Sequence, residues 1–191
     1  MNDNTKAVVE ALLFISDRPI LIDQIRKVLD HLDVGQIRTI IDELKSDYEN
    51  NNRGMRIYEV AGGFQMIAAP DLGLFLKKLY KGANADRLSK PALETLAIVA
   101  YKQPITKLEI ESLRNVDADA MMKGLLDKDL VRIVGRKDTP GRPRVYGTTR
   151  KFLECFGLKS LDELPKIDNI NNATLPEGEV LNGPSEPAPA N

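Results

Sequence analysis

The side chains best suited to catalysis are scarce in this sequence, because His31 is its one histidine and Cys155 its one cysteine. These two residues cannot form a zinc cluster, and we expect no Cys/His nucleophile pair. Adjacent carboxylates such as Asp42 and Glu43 lie in an amphipathic helical pattern, where a solvated charged face is the simpler interpretation. We therefore predict that the chain is not an enzyme and uses no cofactor or metal.

The remaining chemistry that the sequence offers is phosphate binding. The stretch from Gly135 to Gly141 lacks the Gly-Lys-Ser/Thr ending of a nucleotide-binding loop. The segment around it, residues 132–151, is basic, and Asp138 is its one acidic residue. Its cations are Arg132, Arg136, Lys137, Arg142, Arg144, Arg150 and Lys151. Such a segment can contact the phosphates of DNA, or it can be a solvated hairpin, and both interpretations stay open.

The overall composition limits the classes of partner and compartment. A formal net charge of −1 gives no general attraction to nucleic acid, so any DNA contact must come from a local patch. The single cysteine excludes an intrachain disulfide, and the charged N-terminal residues fit neither a signal peptide nor a membrane span. We expect a cytoplasmic protein with no membrane role. Residues 166–191, rich in Asn, Pro, Gly and Glu, predict a disordered tail.

An internal repeat divides the chain into two halves. Glu10-Ala-Leu-Leu-Phe-Ile followed by Pro19-Ile20 is similar to Glu94-Thr-Leu-Ala-Ile-Val followed by Pro104-Ile105. Further on, residues 55–60 correspond to residues 131–136, and Phe75-Leu76 to Phe152-Leu153. A break between Lys81 and Leu88 separates the halves. We predict an N-terminal domain over residues 1–85 and a C-terminal domain over residues 86–165.

In the first half, apolar spacing predicts three helices followed by a hairpin. Val8, Leu12 and Ile15 share one face of the first helix, and Arg18-Pro19 ends it. The second helix carries Ile22, Ile25, Val28 and Leu29. In the third, Asp33 and Gln36 form a capping box before apolar residues at helical spacing, which are Ile37, Ile40, Ile41, Leu44 and Tyr48. Gly62-Gly63 predicts the hairpin turn, and residues 72–79 predict a helix that braces the hairpin.

The second half repeats this order. Thr106 and Glu109 form another capping box, flanked by Ile105 and Ile110 at the positions of a hydrophobic staple. Asp117 is expected to cap the next helix, whose apolar face holds Met121, Met122, Leu125 and Leu126. A hairpin then turns through residues 137–143. The fold class predicted for the chain is therefore mainly α with small β-wings, as two tandem winged-helix (helix-turn-helix) domains.

Several long motifs of the second half resemble those of the segregation and condensation protein B family. They are residues 88–94, 101–106, 134–143 and 146–149, which read LSKPALE, YKQPIT, VGRKDTPGRP and YGTT. The resemblance extends over roughly residues 5 to 165. At Asn115 the sequence departs from the glycine expected in this family, which puts only the local turn geometry in doubt.

The resemblance implies a non-catalytic accessory subunit that acts in chromosome condensation and partition. It implies a homodimer held by the N-terminal domain, which binds the kleisin, segregation and condensation protein A, through the C-terminal domain. Through the kleisin it would serve the SMC ATPase. The residues expected to contact partners belong to these motifs: Lys90, Pro91, Glu94, Tyr101, Lys102, Arg142, Pro143 and Tyr146.

The alternative interpretation is a DNA-binding transcriptional regulator, because a helix-turn-helix can place its recognition helix in the major groove. The exposed faces predicted for the two recognition helices carry mixed charge: Arg38, Asp42, Glu43, Lys45 and Asp47 in one, Asp119, Lys123, Asp127 and Asp129 in the other. Carboxylates repel phosphate, and these faces offer few donors for reading bases. The sequence thus favours protein binding, with DNA bound only weakly or indirectly.

Overall fold

Two similar sets of elements make up the computed structural model, which describes residues 3–79 and 88–166. In the first set, three helices precede a two-stranded hairpin and a short closing helix. Its elements are α1 (Asp3–Ile15), α2 (Ile22–Val28), α3 (Val34–Asn50), β1 (Met55–Val60), β2 (Gly63–Ala68), a 3₁₀ turn (Pro70–Leu72) and α4 (Gly73–Leu79). This is the winged-helix order that the sequence predicted.

The second set repeats the order with one added strand. Its elements are α5 (Lys90–Lys102), β3 (Ile105–Thr106), α6 (Lys107–Arg114), α7 (Asp119–Asp127), β4 (Val131–Arg136), β5 (Arg144–Thr148), α8 (Arg150–Phe156) and a 3₁₀ turn (Leu161–Glu163). The tandem winged-helix fold class is thereby confirmed. The predicted boundary between Lys81 and Leu88 and the predicted tail lie almost wholly outside the described residues.

Local signals explain where the helices begin. Asp33 accepts a hydrogen bond from the Gln36 backbone N–H at 2.8 Å, and the Gln36 side chain accepts one from the Asp33 N–H at 2.9 Å. Thr106 and Glu109 form the same reciprocal pair at the start of α6. Each pair satisfies donors that the first helical turn leaves free, so both predicted capping boxes are confirmed.

Each half has its own apolar core. The first is built from Val9, Leu13, Ile25, Leu29, Ile37, Ile40, Ile41, Leu44, Ile57 and Phe64. The second is built from Leu96, Val99, Ala100, Ile105, Ile110, Ala118, Met122, Leu125, Leu130, Val131 and Phe152. The predicted stripe on α3 is confirmed, since four of its five residues are buried and Tyr48 packs against them.

The residue after each proline of the repeat, Pro19 and Pro104, pairs with the second strand of the wing. Ile20 and Phe64 exchange two backbone hydrogen bonds of 2.9 Å each. In the second half Ile105 stands opposite Tyr146 in the three-stranded sheet, whose order is β3-β5-β4. The prolines therefore mark equivalent points of the two halves, and the wing of each half is tied back to its first helix.

Three details of the first half differ from the prediction. The hairpin turn is Ala61-Gly62, with φ of 51° and 71°, because Gly63 already belongs to β2 and packs on the Ile20 backbone. Ile15 and Val28, the last residues of α1 and α2, are exposed and do not join the core. Helix α4 does not brace the wing, since Phe75 is 68% exposed whereas Phe152, its counterpart in the repeat, is 3% exposed.

The two halves contact each other at the first wing. The Ala61 N–H donates to the Leu158 carbonyl at 2.8 Å, and the Arg150 guanidinium donates to the Pro19 carbonyl at 2.9 Å. Lys159 lies 3.8 Å from the Glu59 carboxylate. The turn of the first wing is therefore covered by the end of the second half.

Candidate functional site

An open groove lies between the end of α5 and one face of α6. Its volume is about 380 Å³, and its lining residues are Lys102, Pro104, Ile105, Glu109, Ser112 and Leu113. Glu109, Ser112 and Leu113 follow one another at the i, i+3, i+4 spacing that places side chains on one helix face. Lys102 and Pro104 form the opposite side. Three of the six lining residues are apolar, and the others include one cation and one carboxylate, a mixed composition suited to anchoring a peptide side chain.

Gln103 joins two of the sequence motifs beside this groove. Its side-chain oxygen accepts from the Thr148 N–H at 2.7 Å, and its Nε2 donates to the Thr148 hydroxyl at 3.0 Å. The bond between Gln103 and Pro104 is cis. A Cβ on Gly147 would lie 2.8 Å from the Gln103 side-chain oxygen, so a side chain at position 147 would displace the Gln103 amide. The motifs at 101–106 and 146–149 therefore form one hydrogen-bonded unit.

Glu109 is the carboxyl group that lines the groove, and its pKa is strongly lowered. The ammonium of Lys137, on the wing, donates to its Oε1 at 2.6 Å, while the Thr106 N–H donates to its Oε2 at 2.9 Å. The hydrogen bond from Lys137, followed by those from Thr106, lowers the pKa of Glu109 from 4.5 to about 2. Glu109 is therefore ionised at neutral pH, and it connects the groove to the wing.

The predicted contact residues on α5 have different surroundings. Lys90 and Pro91 are exposed in its first turn, roughly 18 Å along the helix from Lys102. Glu94 is paired with Arg114 of α6 at 3.4 Å. The hydroxyl of the half-buried Tyr101 donates to the Pro165 carbonyl at 2.7 Å. Lys102 is thus the predicted residue that lines the groove.

The predicted contact residues on the wing form a second group. Arg142 is exposed at the loop, with a φ of 41°, and the Pro143 carbonyl accepts from the Lys137 N–H at 2.9 Å. Tyr146 is half-buried and packs against the second core. Pro143 and Tyr146 therefore shape the hairpin, while Arg142 projects from it.

Sequence reasoning missed Gln103, Ser112 and Leu113 as site residues. A signal for Leu113 was present, because α6 carries more leucines than its buried face can use: Ile110 is fully buried, but Leu108 and Leu113 are 75% and 55% exposed. Excess apolar residues on a short helix mark a surface that a partner can cover. Nothing in the sequence alone distinguishes Leu113, which faces the groove, from Leu108.

Exposed carboxylates lie on both recognition helices. Asp42, Glu43 and Asp47 on α3 are exposed, as are Asp119 and Asp127 on α7, in agreement with the predicted faces. Within the described ranges, no group of three or more His, Cys, Asp or Glu residues could hold a metal ion. None of the helices in that part is long and apolar enough to cross a membrane.

These features define the class of the protein: it has the tandem winged-helix fold, recognition helices of mixed charge and a partly apolar groove in the second half. Residues 7–167 match the model of the family described as segregation and condensation complex subunit ScpB. The chain belongs to this family.

Individual relatives agree with the family match. The chain is 43% identical to a segregation and condensation protein B from Syntrophotalea carbinolica, over 92% of this chain and 88% of the relative. It is also 43% identical to the protein of that name from Carboxydothermus hydrogenoformans, over 92% and 93% of the two chains. The crystal structure of ScpB from Mycobacterium tuberculosis is 29% identical over 82% of this chain and 96% of that one, with a TM-score of 0.40. The sequence match, not this superposition, identifies the family.

Proposed function

We propose that this chain is a non-catalytic, cytoplasmic and nucleoid-associated subunit of a condensin-like complex. In this proposal it acts as a homodimer, binds the kleisin segregation and condensation protein A, and serves the SMC ATPase through the kleisin in chromosome condensation and partition. Membership of the ScpB family over residues 7–167 is the observation that carries the proposal. The regulator alternative is not favoured, because exposed carboxylates occupy both recognition helices.

The second domain, residues 86–165, is proposed to hold the kleisin in the α5–α6 groove. An extended or helical peptide docks through a few apolar anchors, and Leu113 with Pro104 offers such an anchor point. Lys102 supplies a cation at the side of the groove for a carboxylate on the peptide. Lys90, Pro91 and Glu94 remain proposed contacts along α5. Tyr101 is a poorer test residue, because its hydroxyl holds Pro165.

Calorimetric titration of the full chain with a purified middle segment of the kleisin tests this groove. We expect Leu113→Ala to weaken binding about tenfold, which corresponds to roughly 1.4 kcal/mol for one lost apolar anchor. Leu108→Ala is the matched control, because it removes an equally apolar, exposed side chain of the same helix that does not line the groove. Equal affinities for the two variants would discard the groove. Absence of binding by the folded wild-type chain would discard the functional assignment.

The first domain, residues 1–85, is proposed to form the dimer through two apolar surfaces. One is α4, where Leu74, Phe75 and Leu79 are 73%, 68% and 76% exposed. The other is a groove of about 270 Å³ beside α1, lined by Ala7, Glu10, Ala11, Phe14, Tyr48 and Met66. In a two-fold dimer each copy presents both surfaces. Helix α4 of each copy can then cover the α1 groove of the other, which gives two identical contacts.

Light scattering at micromolar concentration tests the dimer. The wild-type chain should have the mass of a dimer, and Phe75→Ser and Phe14→Ser should each give a monomer with unchanged circular dichroism. Leu108→Ser serves as the control, since it makes the same kind of polar change at an exposed position of the second half. A wild-type monomer, or dimers for both phenylalanine variants, would contradict this arrangement.

A further inference from the structure

The second wing carries a concentration of positive charge that the proposed function does not use. Its strand β4 is buried at Val131 and exposed from residue 132 to residue 136, and its loop is exposed up to Arg142. We call residues 131–148 the basic wing. Its cations are Arg132, Arg136, Lys137, Arg142 and Arg144, against the single acidic residue Asp138.

The strand register brings these charges together instead of separating them. Arg136 stands directly opposite Arg144, a like-charge pair that destabilises a hairpin unless an anion lies between or above the side chains. The Arg136 guanidinium also donates to the Arg142 carbonyl at 3.1 Å, which places a third arginine at the same end of the hairpin. Three arginines, Arg136, Arg142 and Arg144, therefore lie at the tip of the basic wing.

Most of this charge is not neutralised within the described part of the chain. Lys137 is paired with Glu109, but Arg132, Arg136, Arg142 and Arg144 have no carboxylate within ion-pair distance there. By contrast, every arginine on the described helices has a carboxylate partner: Arg26 with Asp23, Arg38 with Glu59, Arg114 with Glu94 and Arg150 with Glu154. The unpaired arginines are concentrated on the wing.

The first wing provides an internal comparison, because it occupies the same place in the same fold. Its charged residues, Arg56 and Glu59, balance each other. Arg56 donates to backbone carbonyls, and Glu59 is paired with Arg38 and Lys159. Its two-residue turn is covered by the Leu158 carbonyl. A winged helix thus needs no basic wing for folding, and the charge of the second wing calls for a different cause.

We infer that the basic wing binds the phosphate backbone of duplex DNA without reading its sequence. Guanidinium groups match phosphate oxygens in geometry and stay charged at every physiological pH, which suits a cluster of arginines. Residues 131–148 contain no Asn or Gln, the side chains that read adenine edges, so this hairpin offers little base recognition beyond its arginines. The carboxylates on α7 keep that helix out of the major groove, so the contact is limited to the wing.

This inference goes beyond the proposed function, and it predicts weak, salt-dependent binding. With three to four phosphates contacted, the logarithm of the binding constant should fall with the logarithm of the salt concentration with a slope of about −3 to −4. Dissociation constants of roughly 10⁻⁶ to 10⁻⁴ M are expected for such contacts. Two duplexes of the same length and different sequence should bind alike.

Fluorescence anisotropy with the full chain and a labelled 30-base-pair duplex, at 50 and 200 mM salt, tests whether the basic wing binds DNA. Arg142→Ala/Arg144→Ala should weaken binding about tenfold at the lower salt and reduce the slope by about two. Arg26→Ala/Lys27→Ala is the control: it removes the same charge from exposed positions on α2 and should leave affinity within twofold. Circular dichroism confirms that each variant is folded.

The other outcomes each contradict the inference. No binding by the wild-type chain at 50 mM salt would overturn it, and so would equal losses in the two double variants, since the attraction would then be one of net charge. Poly-glutamate that competes with the duplex at equal charge concentration would show that the wing selects acidic protein and not DNA. A strong preference for one duplex sequence would contradict the sequence-independent contact.

Discussion

Replacement of Gly63 by alanine tests how the first wing is held. A Cβ at this position would lie 2.7 Å from the Ile20 carbonyl oxygen, 3.0 Å from its carbon and 3.2 Å from the Pro19 carbonyl carbon. All three atoms are backbone, so β2 must move away from Ile20. The movement breaks the two hydrogen bonds between Ile20 and Phe64, each about 1 kcal/mol, and adds strain of about 1–3 kcal/mol.

The expected loss for Gly63→Ala is therefore roughly 3–5 kcal/mol, measured by urea denaturation with circular dichroism at 222 nm. Gly73→Ala is the matched control, because Gly73 has helical angles and nothing within 4 Å of its Cβ position. It should be neutral or stabilising by about 0.5–1 kcal/mol. Gly62→Ala should cost about 1–2 kcal/mol, from its positive φ alone. A Gly63→Ala stability within about 0.5 kcal/mol of wild type would refute the reasoning.

Two further predictions concern the second domain. Glu109→Gln keeps the capping hydrogen bond of Thr106 but loses the charge that attracts Lys137. Because the pKa of Glu109 is lowered from 4.5 to about 2, its contribution is complete above pH 4.5 and disappears as the pH falls through 2. The melting temperatures of wild type and variant, measured from pH 7 to 2, should differ above pH 4.5 and converge below it; a constant difference would contradict this. Gln103→Ala should cost about 1–3 kcal/mol in urea denaturation, because it leaves the nearly buried Thr148 N–H without its acceptor; no loss would contradict the hydrogen bonds described.

Local signals made the helices and their order predictable from the sequence. Both capping boxes are read from four residues each, and the apolar stripe of α3 depends only on helical spacing. The repeat correspondence between residues 55–60 and 131–136 coincides with strands β1 and β4. These features depend on interactions between residues close together in the chain, so they can be predicted from the sequence.

Features that depend on contacts between residues far apart in the chain were not predictable in the same way. A Gly-Gly pair does not say which glycine makes the turn, and Gly63 is needed for an approach to Ile20 that lies more than 40 residues away. The helical pattern at residues 72–79 predicted α4 but not its exposure. Likewise, the groove residue Leu113 is identified only when α5 and α6 are placed side by side. The predicted contact residues themselves remain proposals for binding experiments.

The position of Glu109 gives the groove and the basic wing a shared charge, through which the two proposed binding events can be linked. Its carboxylate lines the groove and also holds Lys137 of the basic wing, so one charge belongs to both. A groove ligand whose own cation occupies this carboxylate would leave Lys137 available to phosphate and thereby raise the affinity for DNA. Reciprocity then requires that DNA raise the affinity for that ligand by the same factor. A ligand without a cation at this point would leave the two binding events independent, so the degree of cooperativity reports which side chain the partner brings to Glu109.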